Sequence, residues 1–282
     1  MKLSYAIHAP WPYWSPSAGS RALYILADRL QRLGAPVAIA PIHHERPPRE
    51  PPFRVELVTS WTAGQQAEAV HVYPDIVEGN PARARRVVRW YLGPEQYPPG
   101  PDDLEFAWVP EFSTRPAPRL MVDVIEPDLF FAKSRPGTGT ALWIGKGLRS
   151  STPRVERLEV KWSRWRLRRL LPPTREITSA WPHDRAELAD LLRDVDLLIS
   201  YDCISSLNLE AVLCGTPVLL AGPAGRRLRD TIIGHLGMVC RRRDLDRARS
   251  EIPAAIERYQ AVGQEIFPDI ERFVAVCEDR FV

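Results

Sequence analysis

The chain has 282 residues, of which 45% are hydrophobic and 26% charged, as is typical of soluble globular proteins. No apolar run approaches the roughly 20 residues that span a bilayer, and the N-terminus lacks the features of a signal peptide, so we expect a cytoplasmic protein. The 38 basic residues are mixed with 35 acidic ones, and the net charge of +3 alone does not indicate a nucleic-acid partner. The length favours two domains of roughly 130 residues each.

The cysteine pattern argues against metal binding. The four cysteines are far apart, and the sequence contains neither a CxxC pair nor an HExxH motif. We therefore expect buried thiols and no structural zinc. The four are Cys203, Cys214, Cys240 and Cys277.

The first half begins with a strand, a loop rich in Ser, Pro and Gly, and a helix. Residues 3–9 form a short apolar stretch, and Leu23, Leu26 and Leu30 then recur at helical spacing before Gly34 ends the pattern. Residues 37–40 predict a second buried strand. Further strands are predicted at 69–73, 104–109 and 119–124, and a helix at 81–91, with proline at its start.

A second alternation of strands and helices begins after residue 140. Strands are predicted at 141–144, 176–178, 196–200 and 218–221, and helices at 185–193, 207–214 and 264–281. Two such alternations predict an α/β protein with two Rossmann-like, doubly wound domains and a ligand cleft at the carboxyl ends of the strands. We place the domains at 1–130 and 131–263, followed by a C-terminal helix at 264–282.

The segment from Ser200 to Val218 carries the clearest chemical signal. Asp202 is predicted in the loop between a strand and a helix, and Glu210 lies about one turn into that helix. The N-terminus of a helix attracts phosphate through its unpaired N–H groups and its dipole. Those N–H groups belong to Ser206, Leu207 and Asn208.

Seven residues separate Asp202 from Glu210, and Cys214-Gly215-Thr216-Pro217-Val218 follows. This pattern resembles the acidic-x7-Glu signature of retaining glycosyltransferases with the GT-B fold, the group 1 or family 4-like enzymes. The resemblance implies two Rossmann-like domains facing a cleft. It also implies a nucleoside-diphosphate sugar as cosubstrate, with no cofactor and no metal. The sequence departs from the signature in having Asp rather than Glu at its first position.

The resemblance assigns roles in the second domain. Glu210 would bind the ribose hydroxyls of the donor, and Asp202 would bind the donor sugar and support positive charge at the anomeric carbon. Lys146, within Gly145-Lys146-Gly147, would neutralise the diphosphate. The second cation stays open between Arg149 and Arg154.

The resemblance also assigns roles in the first domain. Gly19 and Ser20 would belong to a glycine-containing loop that faces the donor phosphates. Tyr73, Asp75 and Asn80 would lie on the side of the acceptor, a glycan or a lipid-linked sugar, and the final helix would cross back to this domain. His8 and His71, at the ends of predicted strands, are expected to be core residues.

Other functions remain open at the level of sequence. The chain could be a catalytically degenerate binding protein of the same fold, or an enzyme that glycosylates modified nucleic-acid bases. The segment Lys161–Arg169 interleaves arginine with tryptophan, which suits either nucleic acid or anionic lipid head groups at a membrane. An NAD-dependent oxidoreductase is disfavoured, because no GxGxxG follows either initial strand.

Overall fold

A computed structural model describes residues 2–10, 13, 16–42, 54, 56–132, 137–145, 154–170, 174–178, 180–222 and 235–282. The chain divides into two compact units: Met1–Val124 with Gly263–Val282, and Ile125–Val262. Each unit contains one parallel sheet with helices packed on it. These are the two Rossmann-like α/β units that the sequence predicts.

The sheet of the first unit has six strands, all paired in parallel. They are β1 (Tyr5–Ala9), β2 (Val37–Pro41), β3 (Glu56–Leu57), β4 (Val70–Pro74), β5 (Arg86–Tyr91) and β6 (Leu104–Ala107). Their order, β3-β2-β1-β4-β5-β6, is that of the Rossmann fold. The strand order therefore reverses between β1 and β4.

Two helices of the first unit connect these strands. Helix α1 (Ala18–Arg32) begins at Ser17, whose side chain accepts a hydrogen bond from the backbone of Ser20, and its leucines face the core. Helix α2 (Ala63–Glu68) begins with a capping box, in which Thr62 and Gln65 each bond the other's backbone N–H. Short 3-10 turns cover Val58–Ser60 and Pro110–Phe112.

The second unit has a five-stranded parallel sheet. Its strands are β7 (Thr140–Trp143), β8 (Thr174–Ile177), β9 (Leu197–Ser200), β10 (Val218–Leu220) and β11 (Met238–Val239). The strand order is β11-β10-β9-β7-β8, so the reversal falls between β7 and β9. Its helices are α3 (Arg154–Leu170), α4 (Arg185–Asp194) and α5 (Ser206–Leu213), with a 3-10 turn at Arg242–Asp244.

The last helix, α6 (Leu245–Phe281), contributes to both units. In its C-terminal part the ring of Phe273 lies 5.7 Å from Tyr5 and 5.0 Å from Phe106, within the core of the first unit. On the same stretch the buried carboxylate of Asp269 pairs with Arg119 at 2.8 Å. Within the described residues, no helix has both the length and the apolar content needed to cross a bilayer.

Two secondary-structure predictions in the first unit are wrong. The helix predicted at 81–91 is a turn followed by β5, whose valines and aromatic residues are buried between β4 and β6. The strand predicted at 119–124 is reduced to one bridge between Arg119 and Ala107. Residues 121, 122 and 124 are buried, which gave the apolar pattern, but they form no strand in the structure.

The expectation of buried thiols holds for only part of the set. Cys214 and Cys277 are buried and Cys203 is half-buried, whereas Cys240 is exposed. The prediction is wrong for Cys240, because it lies just after the two-residue edge strand β11, where no further strand covers it. None of the four, all of which the structure describes, forms a disulfide.

Candidate functional site

The turn that joins β9 to α5 is fixed by hydrogen bonds around Asp202. Its carboxylate Oδ1 accepts from the backbone N–H of Ile204 at 3.2 Å, and its carbonyl accepts from the side-chain amide of Asn208 at 2.7 Å. The hydroxyl of Ser200 donates to the same carbonyl and accepts from the backbone N–H of Asp202. Asp202 is only 7% exposed, so this turn holds a carboxylate at one buried position.

Asp202 lies where the strand order of the second sheet reverses. Strands β7 and β9 are neighbours, with Trp143 opposite Ser200, so their carboxyl ends meet at this point. Gly145 follows β7 with a φ of +52°, and a methyl group on its Cα would lie 2.6 Å from both Cβ and Oδ2 of Asp202. The carboxylate therefore packs on the backbone of the β7 loop, at the place where doubly wound sheets bind ligands.

Two buried polar atoms beside Asp202 lack a hydrogen-bond partner among the described residues. They are Oδ1 of Asn208, an acceptor, and Nε1 of Trp143, a donor. Nε1 lies 2.6 Å from where a methyl group on Gly145 would stand, so it lies on the same side of Gly145 as the Asp202 carboxylate. Because buried polar groups are nearly always paired, these two atoms are exceptional features of this end of the sheet.

Glu210 is buried in α5 and is held by an arginine from α4. Its Oε1 accepts from Arg185 at 2.9 Å, and the same guanidinium donates through Nε to both carboxylate oxygens of Glu126, at 3.1 and 3.2 Å. The guanidinium also lies 4.5 Å from the ring centre of Phe130. Burial lowers the pKa of Arg185, but Glu210 and Glu126 outweigh this effect and raise it overall. Arg185 thus stays charged between two carboxylates.

The first turn of α5 already uses some of its backbone donors. The N–H of Leu207 donates to the hydroxyl of Ser205 at 3.3 Å, and the N–H of Asn208 donates to the Ser205 carbonyl at 3.1 Å. A phosphate group at Ser206–Asn208 would therefore have to replace at least the long bond to the Ser205 hydroxyl. The helix dipole at this end still favours an anion.

The loop between β8 and α4 leads into Arg185, a residue that the sequence alone did not assign to the site. Asp184 caps α4 by accepting from the backbone of Glu187 at 2.8 Å. Hydrogen bonds from the backbone and ring of His183 lower the pKa of Glu187, which also accepts from Trp181 Nε1 at 2.9 Å. This loop places Arg185 in the first turn of α4. The available signal was a predicted helix that opens with Asp184-Arg185, after a short loop that follows a predicted strand.

In the first unit, Tyr73 and Asn80 close the loop after β4. The Tyr73 hydroxyl donates to Oδ1 of Asn80 at 3.0 Å and accepts from the backbone of Ala82. Asn80 also bonds both the N–H and the carbonyl of Ala84. These contacts organise the loop itself, and the acceptor role given to both residues remains a prediction.

Asp75, the third residue predicted on the acceptor side, is buried at the end of β4. Its Oδ1 accepts from the backbone N–H of Leu92 at 3.0 Å, and its Oδ2 accepts from the side chain of Gln96 at 3.3 Å. The carboxylate thus fastens the loop after β5 to the end of β4. Asp75 belongs to the same unit as Tyr73 and follows it closely in the sequence, and its assigned role on the acceptor side remains a prediction.

Gly19 and Ser20 belong to the first turn of α1 rather than to a loop. Ser17 caps the helix, which begins at Ala18, so the loop between β1 and α1 ends earlier than predicted. A methyl group on Gly19 would meet nothing closer than 3.9 Å, so this position does not require glycine for steric reasons. Their assignment to the donor phosphates remains a prediction.

His8 and His71 form a buried pair where the first sheet reverses its strand order. His8 Nε2 lies 3.0 Å from His71 Nδ1, and His71 Nε2 lies 3.0 Å from the carbonyl of Gln66. The carbonyl accepts, so His71 Nε2 carries hydrogen and His8 Nε2 donates to His71 Nδ1. Burial, then His71 and Arg89, lowers the pKa of His8 to about 3, and burial also lowers that of His71.

The predicted cations Lys146 and Arg149 lie outside the described residues. The other candidate, Arg154, is exposed at the first residue of α3. In the described part of the chain, no three His, Cys, Asp or Glu side chains are grouped so as to hold a metal ion.

No protein-family model and no curated protein matches the chain. Among solved structures it is similar to the spinosyn forosaminyltransferase SpnP, with 15% identity and a TM-score of 0.49, over 98% of this chain and 100% of that one. It is also similar to an α-glucosyltransferase in complex with UDP-glucose and DNA containing an abasic site. There the identity is 10% and the TM-score 0.48, over 96% of this chain and 95% of that one.

A third similar structure is the glycosyltransferase SnogD from Streptomyces nogalater, with 13% identity and a TM-score of 0.43, over 98% of this chain and 100% of that one. At these identities and TM-scores, the likeness concerns the general α/β architecture alone. The function of the chain therefore has to be inferred from its own residues.

Proposed function

We propose that the chain is a glycosyltransferase that moves a sugar from a nucleoside diphosphate to an acceptor hydroxyl, with retention and without a metal. The observation that carries this proposal is the group of polar residues at the strand reversal of the second sheet. A buried carboxylate, Asp202, packs there on the backbone of Gly145. Nε1 of Trp143 lies on the same side of Gly145, and Asn208 at the start of α5 bonds the Asp202 carbonyl; neither Nε1 nor Oδ1 of Asn208 has a partner among the described residues.

This group suits a sugar because hydroxyls both donate and accept hydrogen bonds. A donor sugar would pair with Oδ1 of Asn208 and Nε1 of Trp143, which have no partner among the described residues. In the reaction, the bond from the anomeric carbon to the diphosphate oxygen breaks, a bond to the acceptor oxygen forms, and the proton of the acceptor hydroxyl passes to the leaving diphosphate oxygen on the same face of the sugar. Positive charge develops on the sugar, and the carboxylate of Asp202 would stabilise it.

The ribose role of Glu210 depends on Arg185. Arg185 holds Oε1 of Glu210, so a ribose hydroxyl would have to share the carboxylate with the guanidinium. We therefore assign Arg185 as a positioning residue that fixes the rotamer of Glu210, with Glu126 balancing its charge. Lys146, with Arg149 or Arg154, would neutralise the diphosphate as it leaves.

The remaining assignments belong to the same proposal. Ser206, Leu207 and Asn208 would offer backbone donors to the diphosphate, and Gly19 and Ser20 would bind it from the first unit. Tyr73, Asp75 and Asn80 would line the acceptor side, for a glycan or a lipid-linked sugar. Alanine substitution on the acceptor side should raise the KM for the acceptor more than that for the donor.

Thermal unfolding with UDP, GDP, ADP, TDP or CMP, with and without EDTA, tests the donor site. A ligand that binds only the native state at about 100 times its Kd should add about 2.7 kcal/mol to the free energy of unfolding. We expect one nucleoside diphosphate to stabilise the wild type regardless of EDTA. The effect should be lost in Glu210→Ala.

Glu126→Ala is the matched control, because it also leaves Arg185 with a single carboxylate partner. It should retain the nucleotide effect, whereas equal loss in both variants would mean that the carboxylates serve only to satisfy Arg185. If no nucleotide stabilises the wild type at millimolar concentration, the transferase proposal fails. The chain would then be better explained as a catalytically degenerate protein of the same fold.

A further inference from the structure

Helix α3 presents a stripe of exposed hydrophobic side chains. Val155, Leu158, Trp162 and Trp165 are 76, 58, 59 and 55% exposed. Seven large hydrophobic side chains are exposed in the part of the chain that the structure describes, and these are four of them. Their spacings of three, four and three residues place them within an arc of about 80° on one face of the helix. Such concentrated apolar exposure usually marks an interaction surface.

The opposite face of α3 holds the helix against the second unit. Val160 is about half a turn away from the stripe and is buried with Leu142, Ile199 and Tyr201. Arg164 reinforces this attachment by pairing with Glu176 of β8 at 2.6 Å. The inner face therefore attaches the helix to the second unit, and the outer stripe stays largely exposed.

The charge of α3 complements an anionic surface. The helix has seven basic and two acidic residues, a net charge of +5, whereas the whole chain carries only +3. Lys161 is exposed beside the stripe, and Arg154 is exposed at the start of the helix. An apolar stripe with tryptophan, flanked by basic residues, is characteristic of helices that lie in the interface of a bilayer.

We propose that α3 binds the surface of an anionic lipid bilayer through this stripe. Single-stranded nucleic acid would suit the tryptophans and the basic residues, but it would leave Val155 and Leu158 in water, because aliphatic side chains do not stack on bases. A bilayer accommodates the aliphatic side chains, the tryptophans and the basic residues together, with the stripe among the acyl chains and the basic residues at the phosphates. This inference does not depend on the donor site.

Flotation of the full chain with lipid vesicles tests the proposal. The wild type should float with vesicles of phosphatidylcholine and phosphatidylglycerol, and much less with phosphatidylcholine alone. Replacing Trp162 and Trp165 together with serine should weaken binding more than tenfold, because it removes both aromatic anchors. Lys161→Glu changes the charge by two units, so it should weaken binding by about fivefold for each unit.

Two variants on other surfaces are matched controls. Ile76→Ser removes an exposed hydrophobic side chain from the first unit, and Arg243→Glu reverses an exposed charge outside α3. Both should float like the wild type, and unchanged unfolding temperatures would exclude misfolding of the α3 variants. The proposal is overturned if the wild type does not bind anionic vesicles at low salt. It is equally overturned if the tryptophan variant binds them normally, or if that variant loses only binding to single-stranded DNA.

Discussion

Replacing Gly145 with alanine tests the geometry of the candidate site. Gly145 has a φ of +52°, and an added methyl group would stand 2.6 Å from Cβ and Oδ2 of Asp202. The left-handed backbone alone costs an alanine about 1 kcal/mol. Crowding in a packed region costs a further 1–3 kcal/mol or so. Gly145→Ala should therefore lower the free energy of unfolding by about 2–4 kcal/mol.

Gly79 provides a control with the same backbone conformation. Its φ is +58°, and a methyl group there would meet nothing within 4 Å. Gly79→Ala should therefore cost only the backbone term of about 1 kcal/mol. Urea unfolding of both variants, with the m-value checked for constancy, gives the difference that is due to crowding.

The crowding term should depend on Asp202. In a double-mutant cycle, Gly145→Ala should cost less in an Asp202→Ala background than in the wild type, by up to about 1 kcal/mol, because Oδ2, one of the three atoms 2.6 Å from the added methyl group, is gone. Cβ of residue 202 and Nε1 of Trp143, also at 2.6 Å, should keep the rest of the cost. If Gly145→Ala costs no more than Gly79→Ala, then Asp202 does not pack on Gly145, and the structural basis of the proposed site is refuted.

Further predictions concern pH, a buried ion pair and a helix interior. The pKa of His8 is lowered to about 3 and that of His71 is also lowered, so both are neutral when folded but take up protons below about pH 6.5 when unfolded. As the pH is lowered below about 6.5, the free energy of unfolding should therefore decrease, by up to about 1.4 kcal/mol per pH unit for His8. His8→Gln should make this decrease less steep, and a free energy of unfolding that does not change with pH in urea would contradict the prediction. Arg119→Met leaves the buried carboxylate of Asp269 without its main partner and should cost about 3 kcal/mol by urea unfolding, whereas a cost near zero would show that the pair is not formed. Gly263 lies inside α6 with open space around it, so Gly263→Ala should raise the free energy of unfolding by about 0.5–1 kcal/mol. The thermal unfolding temperature should rise accordingly, and a lower temperature would argue against a helix at this position.

Local signals were sufficient to predict the segment that carries the proposed site. The apolar run before Ser200, the turn at Asp202 and the glycine at 215 gave the strand, loop and helix nearly at their observed bounds. Each of these signals acts within a few residues, because caps and glycine ends depend on local backbone geometry. The same holds for α4, which begins after Asp184 as predicted.

The partner of Glu210 could not be predicted in the same way. Arg185 lies 25 residues earlier, on a different helix, and meets Glu210 only because β8, β7 and β9 are neighbours in the sheet. Strand order is a tertiary property that no short motif encodes. The spacing that suggested a ribose ligand gives no sign that an arginine already holds this carboxylate.

Tertiary context also explains the missed strand β5. Its charged residues and the preceding Pro81 favour a helix by local criteria, yet Arg89 is buried in the middle of the strand. Arg89 is satisfied by Asp103 at 2.8 Å and by the carbonyl of Val77 at 2.9 Å. Only the folded sheet brings these partners to the guanidinium, so the pattern of residues 81–91 was misleading.

The two strand orders show that the halves of the chain are structural pseudo-repeats. Without the two-residue edge strand β3, the first sheet reads β2-β1-β4-β5-β6, and the second reads β8-β7-β9-β10-β11, which is the same order of connection. An aspartate stands at equivalent places in both, Asp75 after β4 and Asp202 after β9, and each is buried.

The equivalent aspartates have diverged in what surrounds them. Asp75 is bonded by Leu92 and Gln96 from the loop after β5, whereas Asp202 is bonded by Ile204 within its own turn and packs on Gly145 after β7. In the first sheet the carboxylate therefore connects its loop to the loop of the following strand. In the second sheet it contacts the loop on the opposite side, so the halves share an architecture but differ in what the equivalent aspartate joins.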